Sequence, residues 1–264
     1  MPVIDVHTHA FPDSLAARAI EKLEAECPWR TVGPGTVDGL LASMDEAGVD
    51  VSVVCAIATK PEQAEGILAW CCDIRSERIV PLPSLHPDTP RAGEWVDRIA
   101  AEGFVGLKLH PMYQQFAIDE PRMDGIYAAC ESLGLVVEFH CGRDIAFPLT
   151  DDRAEPARTA RVLDRFGRLK AVCTHMGGWK MWRESEELLV GRELHFETSF
   201  SLDDLPPERM VAMIRRHGPE RVLFGTDWPW ASQAGDLAKL RQLGLTEAEL
   251  EGILSGNARR LLGV

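Results

Sequence analysis

The sequence has no CxxC pair, no glycine-rich phosphate loop after its first strand-like run, and no apolar stretch long enough to span a bilayer. It is also short of positive charge. Lys and Arg total 28 against 41 Asp and Glu, a net charge of −13. So acidic a chain argues against nucleic acid or an anionic membrane as its partner, because binding to phosphate leans on Lys and Arg. A small anionic substrate is not excluded, since one site can be positive within a negative whole. The cysteines number seven, an odd count, and several lie in strand-like or helix-like runs, where a thiol behaves as a small hydrophobe. A reducing compartment fits that usage. The start carries no basic segment followed by an apolar one. These features predict a cytoplasmic, unexported protein. No repeat, low-complexity stretch or linker is visible, and one domain is expected over 1–264.

What is present is a rhythm. Strand-like runs occur at VIDVH (3–7), VSVVCAIA (51–58), IVPLPSL (79–85), FVGLKLH (104–110), LVVEFH (135–140), LKAVCTH (169–175), LHFETSF (194–200) and VLFGTD (222–227). Their β-branched content supports strands. Helical patterns such as PEQAEGILAWCCDIRSER and PERMVAMIRRHG lie between them, several ending in glycine. Six of the seven spacings between strand starts are 25 to 34 residues, and the first, 48, leaves room for an extra helix. Eightfold strand–helix alternation predicts a single-domain α/β fold, the (β/α)8 TIM barrel. A doubly wound open sheet is the alternative, and HTHAFP in place of a phosphate loop counts against it.

Side chains alternate between the inside of a barrel and its helix layer. In DVHTH, Asp5, His7 and His9 then face inward, while Ile4 and Val6 face the helices. Glu138 and His140, Lys108 and His110, His175, and Gly225 with Asp227 are inward by the same reading; Val172, Thr174 and Thr226 face out. His7, His9, His140, His175 and Asp227 should therefore meet at one mouth, where barrels place their chemistry. Such polar groups need partners when buried, and a divalent ion supplies one. Singly, an HxH pair is often incidental, Asp227 could cap a helix, and His140 could be a core histidine. Glu138 and Glu197 read as acceptors for ligand imidazoles. Asp5 either orients an imidazole from below or fills the polar inner layer. His195 and His217 read as structural or solvent-facing.

DVHTHAFP, GLKLHP, EFHCG, THMGG, GTDWPW and the closing GNARRLLG, in that order, resemble the amidohydrolase superfamily. They are most similar to its amidohydrolase 2 branch, which includes the aminocarboxymuconate-semialdehyde decarboxylase-like enzymes. The resemblance implies a (β/α)8 barrel holding one divalent metal ion, with Zn2+ expected, on His7, His9, His140 and Asp227. It implies catalytic roles for Asp227, as proton acceptor and donor, and for His175, which would stabilise an oxyanion or orient the attacking hydroxide. Lys108 either holds an anionic substrate or bridges two metals, and one metal is favoured. Arg143 suits a substrate carboxylate, with a solvated loop arginine as the alternative. Trp228, with Trp179, Trp182 and Trp230, could wall an apolar substrate pocket or serve a homodimer interface. The expected activity is metal-dependent hydrolysis of a small ester, lactone or amide. Its alternative is non-oxidative decarboxylation of a small carboxylated substrate, and the third option is a binding barrel without activity.

Overall fold

The computed structural model describes residues 2–264. All eight expected strands are present, most of them shorter than expected: β1 (Ile4–Thr8), β2 (Val51–Cys55), β3 (Ile79–Leu82), β4 (Gly106–Leu109), β5 (Val136–Phe139), β6 (Lys170–Cys173), β7 (His195–Glu197) and β8 (Val222–Leu223). Helices follow each strand in turn. Two follow β1, α1 (Asp13–Glu26) and α2 (Val37–Ala47), which accounts for the long first spacing. Next come α3 (Ala64–Ile74), α4 (Ala92–Ala101), α5 (Asp124–Leu133), α6 (Pro156–Arg165) and α7 (Trp182–Leu188). The short α8 (Ser201–Asp204) and α9 (Pro207–His217) follow β7, and α10 (Gln233–Arg241), α11 (Glu247–Glu251) and α12 (Asn257–Leu262) close the chain. This is the order of a (β/α)8 fold, and every strand pair described is parallel.

Local chemistry sets the helix ends. Thr36 accepts a hydrogen bond from Gly39 N at the start of α2, and Gly48 ends it in the left-handed conformation. Gly134 ends α5 the same way. Pro156 and Pro207 open α6 and α9, where a missing N–H costs nothing. Thr246 and Glu249 form a reciprocal capping box on α11.

The chain forms two compact units. The first comprises Met1–Val54, Arg75–Val80 and Phe196–Val264. In it β7 pairs with β8 (Phe196 with Val222, Glu197 with Leu223). The chain beyond β8 bonds to β1 through Val6 N–Phe224 O at 2.8 Å, and β1 pairs with β2 at Ile4–Val51 and Asp5–Ser52. Ile4, Val6, Leu40, Met44, Phe196 and Phe224 form part of its core, each fully burying an apolar side chain worth about 1.5–3 kcal/mol.

The second unit comprises Cys55–Ile74 and Pro81–His195. The end of β3 joins β4 through Lys108 N–Pro83 O at 2.9 Å. From there β4 pairs with β5 and β5 with β6 in unbroken register, Lys108 opposite Glu138 and Phe139 opposite Cys173. Leu107, Leu109, Val137, Phe139, Tyr127 and Met123 are buried within it.

The shortening of β8 bears most on the site. The run 222–227 was expected to be strand throughout, yet β8 stops at Leu223. The reason lies in where the next amides go. Gly225 N donates to Thr198 Oγ1, Thr226 N to Asp5 Oδ1 and Trp228 N to Thr226 Oγ1. Side chains replace the ladder, and the strict in–out alternation ends there.

Gly142, just past β5, has φ +87°, and a Cβ there would stand 2.2 Å from Trp179 N. Gly142→Ala should therefore destabilise the protein by about 2 kcal/mol or more. Gly66 in α3 has open space around it, and Gly66→Ala should instead stabilise by about 0.5–1 kcal/mol. Urea unfolding of both variants checks the contrast.

Candidate metal centre

The first unit carries three donors side by side. His7 Nε2 and His9 Nε2 are 3.1 Å apart. Asp227 Oδ1 is 3.1 Å from His9 Nε2 and 3.7 Å from His7 Nε2. A tetrahedral ion with bonds of about 2.1 Å would need donors about 3.4 Å apart, so these edges bracket the requirement. The chain brings them together by backbone bonding: Asp227 N donates to His7 O at 2.7 Å, and His9 N to Trp228 O at 2.6 Å. Asp227 holds φ 65°, an uncommon conformation for a residue with a Cβ and one that concentrates at functional sites.

Behind His7 stands Glu197. Its Oε1 lies 3.3 Å from His7 Nδ1, and Ser199 donates to the same carboxylate through Oγ (2.8 Å) and N (2.7 Å). A carboxylate on Nδ1 keeps the proton there and turns the Nε2 lone pair forward, the arrangement that ligating histidines use. The N, N, O donor set with this support fits a divalent ion.

The second unit carries His140 and His175, with His175 Nε2 3.2 Å from His140 Nδ1. His140 is buried, and desolvation, with His110 and His175 beside it, holds its imidazole well below the usual histidine range. It is therefore neutral, the form that can ligate. His175 follows β6 at φ 56°, outside the strand, and its carbonyl accepts from Trp182 Nε1 at 2.9 Å. His110, His140 and Asp144 also place donor atoms within 4.8 Å of one another. However, the His110 and His140 rings are stacked, 4.0 Å apart at 15°. Their lone pairs lie in nearly parallel planes and do not converge. This set is better described as two imidazoles beside one carboxylate, with His110 Nε2 3.3 Å from Asp144 Oδ2.

The other expected residues are placed as follows. Lys108 is fully buried and donates to Glu138 Oε1 at 2.8 Å, which also accepts from Cys55 Sγ at 3.2 Å. Arg143 is partly buried and engages Glu155 at 3.1 Å and the Asp151 carbonyl. Trp228 is 1% exposed, its indole under Gly33, and Trp179 and Trp182 are buried as well. His217 is buried and stacks on Phe196 at 4.1 Å.

Asp5 meets His7 through that residue's backbone amide. It accepts from His7 N, Thr226 N, Thr226 Oγ1 and Gln233 Nε2. Burial pushes its carboxyl up to about 7 against the pull of those bonds. Thr226, expected to face the helices, bonds to it because the chain has left strand geometry. Ser199, Asp144, Thr226 and Gln233 escaped the sequence reading. Ser199 alone had a signal, sharing the side of Glu197 two residues on.

The amidohydrolase family model matches residues 4–264. Among solved structures, an uncharacterized TIM-barrel protein from Bordetella bronchiseptica has a TM-score of 0.82 at 20% identity, covering 100% of this chain and 99% of its own. The 5-carboxyvanillate decarboxylase of Sphingomonas paucimobilis has a TM-score of 0.74 at 18% identity, covering 100% and 99%. A dihydroxybenzoic acid decarboxylase from Polaromonas, with bound manganese and 2-nitroresorcinol, has a TM-score of 0.74 at 15% identity, covering 99% and 97%. At these identities the likeness is one of fold. No curated protein sequence matches.

The Lys108–Glu138 pair makes its own prediction. Lys108→Met leaves a carboxylate buried without its ammonium and should cost about 3–5 kcal/mol. Adding Glu138→Leu should restore most of that loss, because both charges are then gone. Denaturant midpoints of the single and double variants read the difference.

Proposed function

The chain belongs to the amidohydrolase family, and on that premise we propose a metal-dependent carboxy-lyase that removes CO2 without oxidation from a small carboxylated substrate. Phenolic acids are the first class to try, because the solved relatives include decarboxylases of such acids. One observation carries the reading: His7, His9 and Asp227 stand 3.1 to 3.7 Å apart with Glu197 behind His7. These three would hold one divalent ion. Zn2+ suits the imidazoles, and Mn2+ is the ion of one relative. Such an ion supplies Lewis acidity toward a substrate oxygen and lowers the pKa of a neighbouring water.

The chain's own groups do the rest. Arg143, whose guanidinium now engages Glu155 and the Asp151 carbonyl, would have to exchange them for a substrate carboxylate, which guanidinium pairs with through two parallel bonds. His175 donates a hydrogen bond to charge that develops on the substrate. Asp227, after taking a proton from water, would deliver it to the carbon that loses CO2; the electron pair of the broken C–C bond forms the new C–H bond and the carboxylate is restored.

Hydrolysis of a small ester, lactone or amide is the second reading. It is favoured by the same Asp227 carboxylate beside His9, which could accept the proton of an attacking water.

Purified protein given carboxylated phenols in D2O should release CO2 and carry deuterium at the vacated carbon. Asp227→Asn should lower that rate about 100-fold or more. Turnover of lactones or esters without CO2 release would favour the second reading. Failure on both panels, with Asp227→Asn indistinguishable from the parent, would sink both.

A further inference from the structure

We propose that Asp5, Thr226 and Gln233 form a positioning relay that holds Asp227 in the orientation from which it meets His9. The inference rests on the reading of Asp227 as a ligand and extends it to three residues that touch neither ion nor substrate. They are positioning residues, not catalytic ones.

The geometry runs through one hydroxyl. Thr226 Oγ1 donates to Asp5 Oδ2 at 2.6 Å and accepts from Trp228 N at 3.2 Å. Thr226 N donates to Asp5 Oδ1 at 3.1 Å. The residues before and after Asp227 are thus tied to each other and to β1. Asp227 N is itself taken by His7 O at 2.7 Å, so three successive amides are fixed. A residue at φ 65° keeps that conformation only when its surroundings over-determine it, and these bonds do so.

Asp5 also accepts from His7 N at 3.2 Å, so one carboxylate grips the backbone of both ligand-bearing segments. Gln233, at the start of α10, completes the relay. Its Nε2 donates to Asp5 Oδ2 at 2.8 Å and to Ser52 Oγ at 3.1 Å, tying the carboxylate to β2. Asp5, Thr226 and Gln233 are each 0% exposed. Four donors converge on a carboxylate that solvent does not reach, which is more than a space-filling residue requires.

The test separates positioning from mere stability. Metal-free parent, Thr226→Val and Thr226→Ser are titrated with Zn2+ alone in a calorimeter, and the thermal midpoint of each apo form is recorded. Valine keeps the shape and removes the hydroxyl; serine keeps the hydroxyl. Thr226→Val should bind Zn2+ about 10- to 100-fold more weakly, the usual effect of losing outer support, while Thr226→Ser stays within about 3-fold. Parental affinity in Thr226→Val, whatever its midpoint, would overturn the inference, as would a Thr226→Ser variant as weak as valine. If Thr226→Val does not fold, Gln233→Met is read the same way, with a loss of about 3- to 10-fold expected and none overturning the relay. A parent that takes up no Zn2+ would overturn the metal reading and the relay with it. Uptake by the parent matched in the variants would overturn the relay alone.

Discussion

The backbone seam between β1 and the chain beyond β8 is the constraint on which the first unit's donor set depends. Val6 N to Phe224 O, Asp227 N to His7 O and His9 N to Trp228 O are three short bonds between segments more than 200 residues apart in sequence. They put His7, His9 and Asp227 in one row. Without the seam, two histidines of a tripeptide and one aspartate from the far end of the chain would have no reason to meet. With it, their donor atoms fall within 3.1 to 3.7 Å.

The polar groups beneath the strand ends follow one rule. Three buried carboxylates, Glu197, Glu138 and Asp5, each have hydrogen-bond partners. Glu197 takes His7 and Ser199, Glu138 takes Lys108 and Cys55, and Asp5 takes four donors. Unpartnered, such groups would each cost several kcal/mol in the interior. Partnered, they turn ring nitrogens and backbone amides in set directions. The inner layer thus positions donors as a side effect of satisfying its own hydrogen bonds, which links the stability of the fold to the shape of the site.

Much of the fold was legible because its signals are local. β-Branched runs, glycine stops and even spacing marked the eight strands and the helices between them. The nearness of His7 and His9 was legible from their spacing, although the register of β1 against β2 shifts between Asp5 and Thr8 and His9 lies just beyond the strand. Alternation failed where the strand ended early. β6 stops at Cys173 and β8 at Leu223, so His175 and Asp227 sit in left-handed turns whose direction no alternation rule describes. Thr226 was misassigned to the helix side for that reason. Gln233 and Asp144 left no trace, because a helix-start glutamine and a loop aspartate look like any others until distant chain folds against them. Lys108, read as holding an anionic substrate or bridging two metals, has its ammonium on Glu138, which sits opposite it across β4 and β5.

The central claim is that imidazoles and a carboxylate at these strand ends hold one divalent ion. X-ray absorption at the metal edge of protein purified without added chelator tests it most directly. The account predicts about one ion per chain, in a shell of nitrogen and oxygen donors with the multiple-scattering pattern of imidazole. A shell containing sulfur, which would implicate the cysteines, or protein that is active yet free of metal, would contradict it.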